Sequence, residues 1–288
     1  MKDYFEINSA KKHLKLTEIP AKLKARYQTR QEYTALLNEN HSLIEEDQTR
    51  LYASRARAML IIFQGMDTAG KDGAIKHVMS GVNPQGCSVV SFKTPTSNEL
   101  DHDYLWRASR ALPDRGQIGI FNRSYYEEAL IIRVHPNLLE NEKLPTGKKH
   151  GERFWKLRYQ DIVNYEEYLQ RQGYEIIKVF IHISKQEQKH RLLDRFSDPK
   201  KLWKISEGDI YERGFWKEYQ AAYEECIRFT SSKINPWYIV PGDDKENARL
   251  SISQILVDRF KAMDLEFPKL SHEQKKKIEK LKSILVKG

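Results

Sequence analysis

Met59–Gly73 reads MLIIFQGMDTAGKDG, and this stretch decides the fold class. Its first six residues form a short apolar run, which is typical of a buried strand in a parallel sheet. The next seven residues, GMDTAGK, fit the G-x-x-x-x-G-K frame between that strand and a predicted helix, Ala69–Ser80. Glycines let the backbone N–H groups point at one anion, and the N-terminus of the helix adds partial positive charge. The stretch therefore predicts a phosphate-binding loop, Gly65–Lys71, called the P-loop below.

The candidate phosphate and metal ligands of this stretch lie in the P-loop and just after it. Lys71 is predicted to reach phosphate oxygens as a point charge. Asp72 stands where Ser or Thr usually supplies a hydroxyl to Mg²⁺, so we expect Asp67 or Asp72 to contact the metal, because Mg²⁺ accepts carboxylate oxygens. The alternative for Asp72 is a charge that favours the helix dipole. The predicted phosphate-binding positions here are Gly65, Thr68, Ala69, Gly70, Asp72, Gly73 and Lys76.

Outward from the P-loop, short apolar runs alternate with helical stretches. The predicted strands are Met59–Gln64, Gly86–Phe92, Gln117–Phe121, Tyr174–Ile183 and Trp237–Val240. Ser42 with Glu45 predicts a helix start that runs through about Arg57, and Thr96 and Ser184 predict two more. Further helices are predicted over Arg153–Gln172, Glu207–Phe229, Lys245–Met263 and His272–Val286. This alternation predicts a three-layer α/β fold of the P-loop NTPase type, with a mostly parallel sheet.

A second group of polar side chains follows the third predicted strand. Arg123 can hold phosphates in a bidentate fork, and Asn122 can position the transferring group or a metal-bound water. One of Glu127 and Glu128 is a candidate catalytic or metal-binding carboxylate, with Glu127 the choice for the metal; the alternative is a solvated pair. Arg133 is a further candidate to reach the acceptor.

A basic segment follows the fourth predicted strand. Its candidate phosphate-binding cations are Arg191, Arg195, Lys200, Lys201, Lys204 and Arg213. Arg191 and Arg195 are four residues apart and so lie on one helix face. Phosphoryl transfer places charge on peripheral oxygens, which cations stabilise. A basic helix alone is usually a solvated face, but beside a P-loop we interpret about 196–213 as a lid.

Composition limits the partners. The chain has 288 residues and a formal charge of +9, which favours nucleic acid, an anionic membrane surface or a phosphate-rich substrate. No module typical of nucleic-acid binding occurs, and no apolar stretch is long enough to span a membrane, so neither partner is expected. The two cysteines, Cys87 and Cys226, are far apart, which favours reduced thiols in a cytoplasmic protein.

The chain is expected to form one P-loop kinase domain over 1–288. Residues 1–41 are predicted to wrap that domain, and 136–150 and 196–206 to form loops over the carboxyl edge of the sheet. A C-terminal helix over 271–288 carries an apolar stripe, Ile278, Leu281 and Leu285, that we expect to pack on the domain or on a partner subunit.

Several motifs together resemble the polyphosphate kinase 2 family. They are GMDTAGKDGAIKHV, SGVNPQGCSVVSFKTPT, ELDHDYLWR, IGIFNRSYYEE, HISKQEQKHRL, and DPKKLWKIS followed by INPWYIVP. The similarity runs from about Leu51 to about Asp243. It implies a thymidylate-kinase-like P-loop fold with a helical lid, and an enzyme that moves the terminal phosphate between inorganic polyphosphate and a nucleotide with Mg²⁺, or with Mn²⁺ in its place. It also implies a homodimer or homotetramer.

The resemblance assigns catalytic roles by motif. Asp67 and Lys71 match the Walker A aspartate and lysine of the family, and Asn122 and Arg123 match its second, Walker B-like pair. Arg191, with Arg195, falls in the region of the lid arginines. Asn at position 122, together with GKDG, resembles class III members, which accept nucleoside mono- and diphosphates. Members that prefer diphosphates typically carry Asp there.

The preferred interpretation is direct, reversible in-line transfer from polyphosphate to AMP, ADP, GMP or GDP, without a protein nucleophile. Nucleoside mono-, di- and triphosphates are then the expected small-molecule partners. One alternative is an ATP-dependent nucleoside monophosphate kinase on the same fold. The other is a polyanion-binding protein that retains the P-loop without catalysis. A donor swap between polyphosphate and ATP separates the two kinases, and turnover of the wild type separates both from the binding protein.

Overall fold

The structure, a computed structural model, describes residues 3–9, 13–144 and 151–287. Its centre is a six-stranded sheet. The strands are β1 (Phe5–Ile7), β2 (Ala58–Gln64), β3 (Cys87–Ser91), β4 (Ile118–Asn122), β5 (Tyr174–His182) and β6 (Trp237–Pro241). They lie in the order β1-β6-β5-β2-β4-β3, and only the β1–β6 pair is antiparallel within this sheet. The predicted α/β fold with a mostly parallel sheet is confirmed.

The described residues also form helices, some of which pack in two groups. They are α1 (Arg30–Ser54), α2 (Lys71–Val78), α3 (Ser97–Leu100), α4 (Trp106–Arg110), α5 (Glu127–Val134), α6 (Glu152–Arg171), α7 (Lys185–Ser197), α8 (Glu207–Gly214), α9 (Trp216–Thr230), α10 (Lys245–Met263) and α11 (His272–Lys287). In one group α1 and α2 pack on α10, and in the other α5 and α6 pack on α9. Every residue of β2 is buried between these layers, as its continuous apolar run predicts.

The order of the strands creates a crevice at the end of β2. The chain leaves β2 towards β3 and β4 on one side and later returns to β5 and β6 on the other. Phe63 of β2 pairs with Asn122 of β4, and the Arg123 amide donates to the Phe63 carbonyl at 3.0 Å. The segments that follow β2 and β4 therefore start side by side at a topological switch point, where α/β proteins bind ligands.

The predicted start of the first long helix at Ser42 is wrong. Helix α1 begins at Arg30, where the Thr29 hydroxyl accepts a hydrogen bond from the Glu32 amide at 3.2 Å. Ser42 lies inside α1, and its hydroxyl donates to the Asn38 carbonyl at 3.2 Å instead of capping. A Ser-x-x-Glu pattern can thus occur within a helix, because serine can bond to the preceding turn.

Two other predicted helices are interrupted. Thr96 caps α3 with Glu99 as predicted, but the helix stops at Leu100 and resumes as α4. The single helix predicted over Glu207–Phe229 breaks at Phe215 into α8 and α9. Ser184 caps α7 by accepting from the Glu187 amide at 3.0 Å, which confirms that prediction.

Parts of the connection after α5 and of both chain ends lie outside the described residues. Pro136–Glu142 forms a 3-10 helix, while residues 145–150 of the predicted 136–150 loop lie outside the described residues. The same holds for 1–2 and 10–12 of the N-terminal segment and for residue 288. Helix α11 is exposed along its length, and the side chain of Leu285 is 82% exposed. Among the described residues, no helix combines the length and the apolarity that crossing a membrane requires.

Candidate active site

The P-loop takes a shape that glycine permits at two positions. A Cβ atom on Gly65 would lie 2.8 Å from the carbonyl oxygen of Ile181 in β5, so a side chain would displace the loop from the sheet. Gly70 has a φ of +100° and caps the N-terminus of α2. Thr68 is also left-handed, with a φ of +63°, which is strained for a residue with a Cβ. The loop is therefore held in a tight curl at a helix N-terminus, where an anion is favoured.

Lys71 lies across the inner side of this curl. Its Nζ donates to the Gly65 carbonyl at 2.7 Å and lies 3.4 Å from the Met66 carbonyl. Burial lowers the pKa of Lys71, and the nearby Arg123 guanidinium lowers it further. A phosphate in the loop would oppose both effects, because it would pair with the buried ammonium. Lys71 is therefore placed to bind an anion in the P-loop.

Arg123 joins the segment after β4 to the P-loop. Its Nη2 donates to Asp67 Oδ1 at 2.7 Å, and its Nη1 donates to Glu127 Oε2 at 3.2 Å. The residue has a φ of +64°, so the turn after β4 is strained as the P-loop is. Its side chain is 38% exposed, which leaves part of the guanidinium open to the crevice.

Asn122 makes a second link across the crevice. Its Nδ2 donates to Asp72 Oδ1 in the first turn of α2, at 2.6 Å. Two residues predicted to handle phosphate or metal are thus in direct contact before any ligand binds.

A cleft of about 750 Å³ opens above these links. The predicted residues that line it are Asp67, Thr68, Ala69, Gly70, Lys71, Asp72, Gly73, Asn122, Arg123, Arg191, Arg195, Lys201 and Lys204. Gly65 and Glu127 line a small adjoining pocket together with Asp67 and Arg123. The cleft is rich in cations at the carboxyl edge of the sheet, as phosphate binding requires.

Four further predicted residues line neither the cleft nor the small adjoining pocket. Arg133 pairs with Glu225 at 3.2 Å, and Arg213 donates to Gln188 Oε1 at 2.8 Å. Lys76 and Lys200 are exposed, Lys76 on α2 and Lys200 after α7. The structure does not bring Arg133 to the place where an acceptor phosphate would meet Arg123.

Arg191 supports the P-loop instead of pointing freely into the cleft. The side chain is 5% exposed, and Nε donates to Glu187 at 2.6 Å. Nη1 donates to the carbonyls of Thr68 and Ala69 at 3.1 and 2.8 Å. Nη2 donates to the carbonyls of Gly242 and Asp243 at 2.5 and 3.4 Å. These bonds engage every nitrogen of the guanidinium with the protein.

Arg195, one turn further along α7, is less fully engaged. Its Nη1 donates to Asp209 Oδ2 at 2.5 Å and to the Lys204 carbonyl at 2.9 Å. Lys201 pairs with Asp198 at 3.0 Å. The cations over the cleft are therefore partly neutralised by neighbouring carboxylates, which a polyphosphate anion would have to displace.

Among the residues of the site that were not predicted from the sequence, three carry polar contacts or positive charge. Gln188 donates to the Asp67 carbonyl at 3.1 Å, and Lys93 and Lys245 line the cleft. Lys93 and Lys245 each follow a parallel strand at its carboxyl end, so the topology rule could have found them. Gln188 lies three residues before Arg191, on the same face of α7.

A second cavity, of about 230 Å³, adjoins the cleft at Arg123. Its apolar wall consists of Phe92, Leu100, Ile131, Ile132 and Leu138. The polar part includes Arg107, which donates to Glu128 at 2.9 Å inside the protein. Burial raises the pKa of Glu128 to about 7, although Arg107 acts in the opposite direction. The cavity combines an apolar wall with a few polar groups, as small-molecule sites do.

The carboxylates near the cleft fit a metal that is shared with a ligand. No group of three or more His, Cys, Asp or Glu side chains in the described residues could hold a metal ion by itself. Asp67 and Asp72, however, both line the cleft beside the P-loop. Mg²⁺ is usually bound by one or two carboxylates plus substrate phosphates, so these two residues fit that role.

Comparisons with known proteins agree with this geometry. Residues 27–268 match the family model described as Polyphosphate kinase 2. The chain is 47% identical to an ADP-polyphosphate phosphotransferase of Rhodopseudomonas palustris, over 93% of both chains. It is 40% identical to an AMP/ADP-polyphosphate phosphotransferase of Meiothermus ruber, over 82% of this chain and 83% of the relative. The crystal structure of polyphosphate kinase 2 from Arthrobacter aurescens TC1 superposes over 100% of both chains with a TM-score of 0.86, at 33% identity.

Proposed function

The chain belongs to the polyphosphate kinase 2 family and is a polyphosphate-dependent nucleotide kinase, and we propose that it phosphorylates nucleoside monophosphates as well as diphosphates. AMP, ADP, GMP and GDP are the proposed acceptors. The observation that supports this breadth is the Asn122–Asp72 contact at 2.6 Å. A neutral amide at this position adds no negative charge where the phosphates of either acceptor would approach. The relative from Meiothermus ruber, whose name includes both AMP and ADP, supports the same breadth.

The donor end of polyphosphate binds in the P-loop in this proposal. Lys71 turns from the Gly65 carbonyl to the bound phosphate, and the N-terminus of α2 adds its partial positive charge. Arg191 and Gln188 keep the loop in shape through its backbone carbonyls. They are positioning residues, because their donors face the protein.

The acceptor nucleoside occupies the 230 Å³ cavity, with its phosphate directed towards Arg123. The base then lies against the apolar wall that includes Phe92, and the acceptor phosphate meets the exposed part of the Arg123 guanidinium. Donor and acceptor approach from opposite sides of Arg123, which suits a direct, reversible in-line transfer without a protein nucleophile. Arg123 and Lys71 stabilise the charge that develops on the peripheral oxygens.

A divalent metal is part of the proposal, with Mg²⁺ as the first choice and Mn²⁺ as the alternative. Asp67 and Asp72 would hold it, and Glu127 lies behind Arg123 as a further carboxylate. When bound, the ion would neutralise phosphate charge. Asp67 holds the Arg123 guanidinium at 2.7 Å and would be one of the residues that hold the metal.

We also propose a homodimer or homotetramer in the cytoplasm. The exposed stripe of α11, which includes Ile278, Leu281 and Leu285, supports an assembly, because isolated apolar stripes of this kind usually pack on something. Cys87 and Cys226 are both free thiols, which supports a reducing compartment. Light scattering of the purified protein tests the assembly.

Product analysis tests the proposed acceptors and donor. The enzyme is incubated with AMP, ADP, GMP or GDP, each with polyphosphate and Mg²⁺, and the nucleotides are separated. We expect products from the monophosphates and from the diphosphates. Products only from diphosphates would overturn the acceptor proposal. A parallel series with ATP in place of polyphosphate identifies an ATP-dependent monophosphate kinase, and Lys71→Ala distinguishes catalysis from mere binding of polyphosphate.

A further inference from the structure

A group of cations continues from the cleft over the outer side of α2. Its cations are Lys245 and Arg249 on α10 and Lys76 on α2, and the neighbouring imidazoles are His77 on α2 and His41 on α1. These three helices pack together on one side of the sheet. Lys245 lines the cleft, and Arg249 follows it by one helical turn, a rise of about 6 Å. We call these five residues the α10 cation track.

The track begins at the rim of the cleft without a gap. Nη2 of Arg249 lies 3.7 Å from the position that a Cβ atom would occupy on Gly73, and Gly73 itself lines the cleft. His77 is four residues after Gly73, so it lies on the same face of α2. His41 closes the far end, where its Nε2–H donates to the His77 carbonyl at 2.8 Å. A path of basic side chains therefore leads from the P-loop helix to α1, with its fixed positive charge on Lys245, Arg249 and Lys76.

The pKa of His77 reflects the positive charge of this surface. Burial is the main cause that lowers the pKa of His77, and Arg249, Lys76 and His41 lower it further. Glu246 is the carboxylate that acts in the opposite direction. It accepts a hydrogen bond from Tyr27 at 3.1 Å and lies 3.9 Å from Arg30, so its charge is shared with residues outside the track.

Three cations of the track have no ion-paired carboxylate among the described residues. Lys76, Lys245 and Arg249 form no ion pair with any residue that the structure describes. In the lid, Arg195 and Lys201 are paired with carboxylates, whereas Lys200 and Lys204 form no ion pair with a described residue. An approaching polyanion displaces no ion-paired carboxylate from those three side chains, which favours this exit from the cleft.

We propose that the α10 cation track binds the part of the polyphosphate chain that extends beyond the cleft. The inference rests on the proposed function, since it assigns a path to the tail of the donor. Polyphosphate carries a negative charge at every phosphate, so a long chain reaches cations that a short chain cannot reach. The track therefore sets the preference for long donors and leaves the transfer step to the cleft.

The test compares long and short donors in Arg249→Glu, with Lys261→Glu as the matched control. Lys261 lies on the same helix, is exposed and is remote from the cleft, and its substitution changes the charge equally. For Arg249→Glu we expect the KM for polyphosphate of about a hundred units to rise about tenfold relative to the KM for tripolyphosphate. Turnover with tripolyphosphate also shows that the variant is folded. An unchanged ratio of the two KM values, or an equal change in Lys261→Glu, overturns the proposal.

A binding measurement separates this proposal from the proposed function. Long polyphosphate is titrated into Lys71→Ala and into Lys71→Ala/Arg249→Glu at two salt concentrations. We expect binding about tenfold weaker in the double variant, with a smaller dependence on salt. If the wild type showed no polyphosphate-dependent turnover, the proposed function would fail while this measurement still tested the track. Equal affinities in the two variants would contradict polyphosphate binding by the track and would leave the proposed function intact.

Discussion

The side-chain amide of Asn122 donates a 2.6 Å hydrogen bond to the carboxylate of Asp72, and so connects the end of β4 to the first turn of α2. This contact spans the crevice between the P-loop and the segment that carries Arg123. Its two members have opposite hydrogen-bonding roles, a donor and an acceptor. Each can therefore be changed separately, and the pair can be exchanged.

Asn122→Asp is expected to shift the preference from monophosphate to diphosphate acceptors by about tenfold. The second carboxylate repels Asp72 and adds negative charge beside the acceptor phosphate, an effect of roughly 1.4 kcal/mol. The ratio of kcat/KM for AMP and ADP measures it. The exchanged variant Asp72→Asn/Asn122→Asp restores a donor and an acceptor, so we expect part of the original ratio to return. An unchanged ratio in Asn122→Asp would show that this residue does not set acceptor choice.

Arg191→Ala is expected to lower stability, whereas Arg195→Ala is expected to weaken binding of the donor. Arg191 engages all its nitrogens with protein groups, so its removal leaves P-loop carbonyls unpaired and lowers the free energy of unfolding by about 3 kcal/mol. Arg195 is partly open to the cleft, so its removal should mainly raise the KM for polyphosphate. Chemical denaturation and donor kinetics on both variants provide the comparison. Equal stability of Arg191→Ala and the wild type would contradict the clamping role of Arg191.

Arg123→Ala is expected to lower kcat by about 100-fold or more, because the proposed function places the guanidinium between the donor and acceptor phosphates. Arg133→Ala is the matched control, since Arg133 pairs with Glu225 outside the lining of the cleft. We expect its kcat to change less than about twofold. Steady-state kinetics with saturating AMP and polyphosphate measure both. A loss in Arg133→Ala as large as that in Arg123→Ala would place the acceptor phosphate elsewhere.

Glu128 is expected to make stability depend on pH. Its folded pKa is raised from 4.5 to about 7, so the folded protein holds a proton that the unfolded chain has lost. The resulting stabilisation is complete below about pH 4.5 and is lost as the pH rises through 7. A shift of this size corresponds to about 3 kcal/mol.

Glu128→Gln keeps the neutral form at every pH. The unfolding free energy of the wild type should therefore fall relative to that of Glu128→Gln between pH 5 and pH 8, as measured by urea denaturation. Glu140→Gln, at an exposed position, is the control and should follow the wild type. A parallel course of the wild type and Glu128→Gln would mean that the carboxyl is ionised throughout this range.

The sequence predicts most of the fold because its strongest signals are local. The apolar run before Gly65 can be buried only as a central strand, and Ser184 caps α7 with its own neighbours. Predictions fail where the partner is distant in sequence. The three-residue strand β1 exists because it pairs with β6, more than two hundred residues away. No local pattern can indicate such a strand.

The candidate site is predictable to a similar degree and for the same reason. Motif spacing identifies Asp67, Lys71 and Arg123, whose side chains the topology then brings together. Spacing alone cannot show which way a guanidinium points. The sequence predicts that Arg191 and Arg133 both contact substrate phosphates, yet their donors are directed at protein groups. Only the packed structure distinguishes a free cation from an engaged one.

The bonds of Arg191 have a mechanical consequence for the lid. They fasten α7 to the P-loop on one side and to the residues after β6 on the other. A rotation of the whole of α7 would break these hydrogen bonds, so we expect α7 to keep its position relative to the P-loop. The predicted closure over the cleft would then have to hinge after α7, where Asp198 ends the helix. It would also have to break the bonds of Arg195 to Asp209 and to the Lys204 carbonyl, which tie α8 and the segment before it to α7.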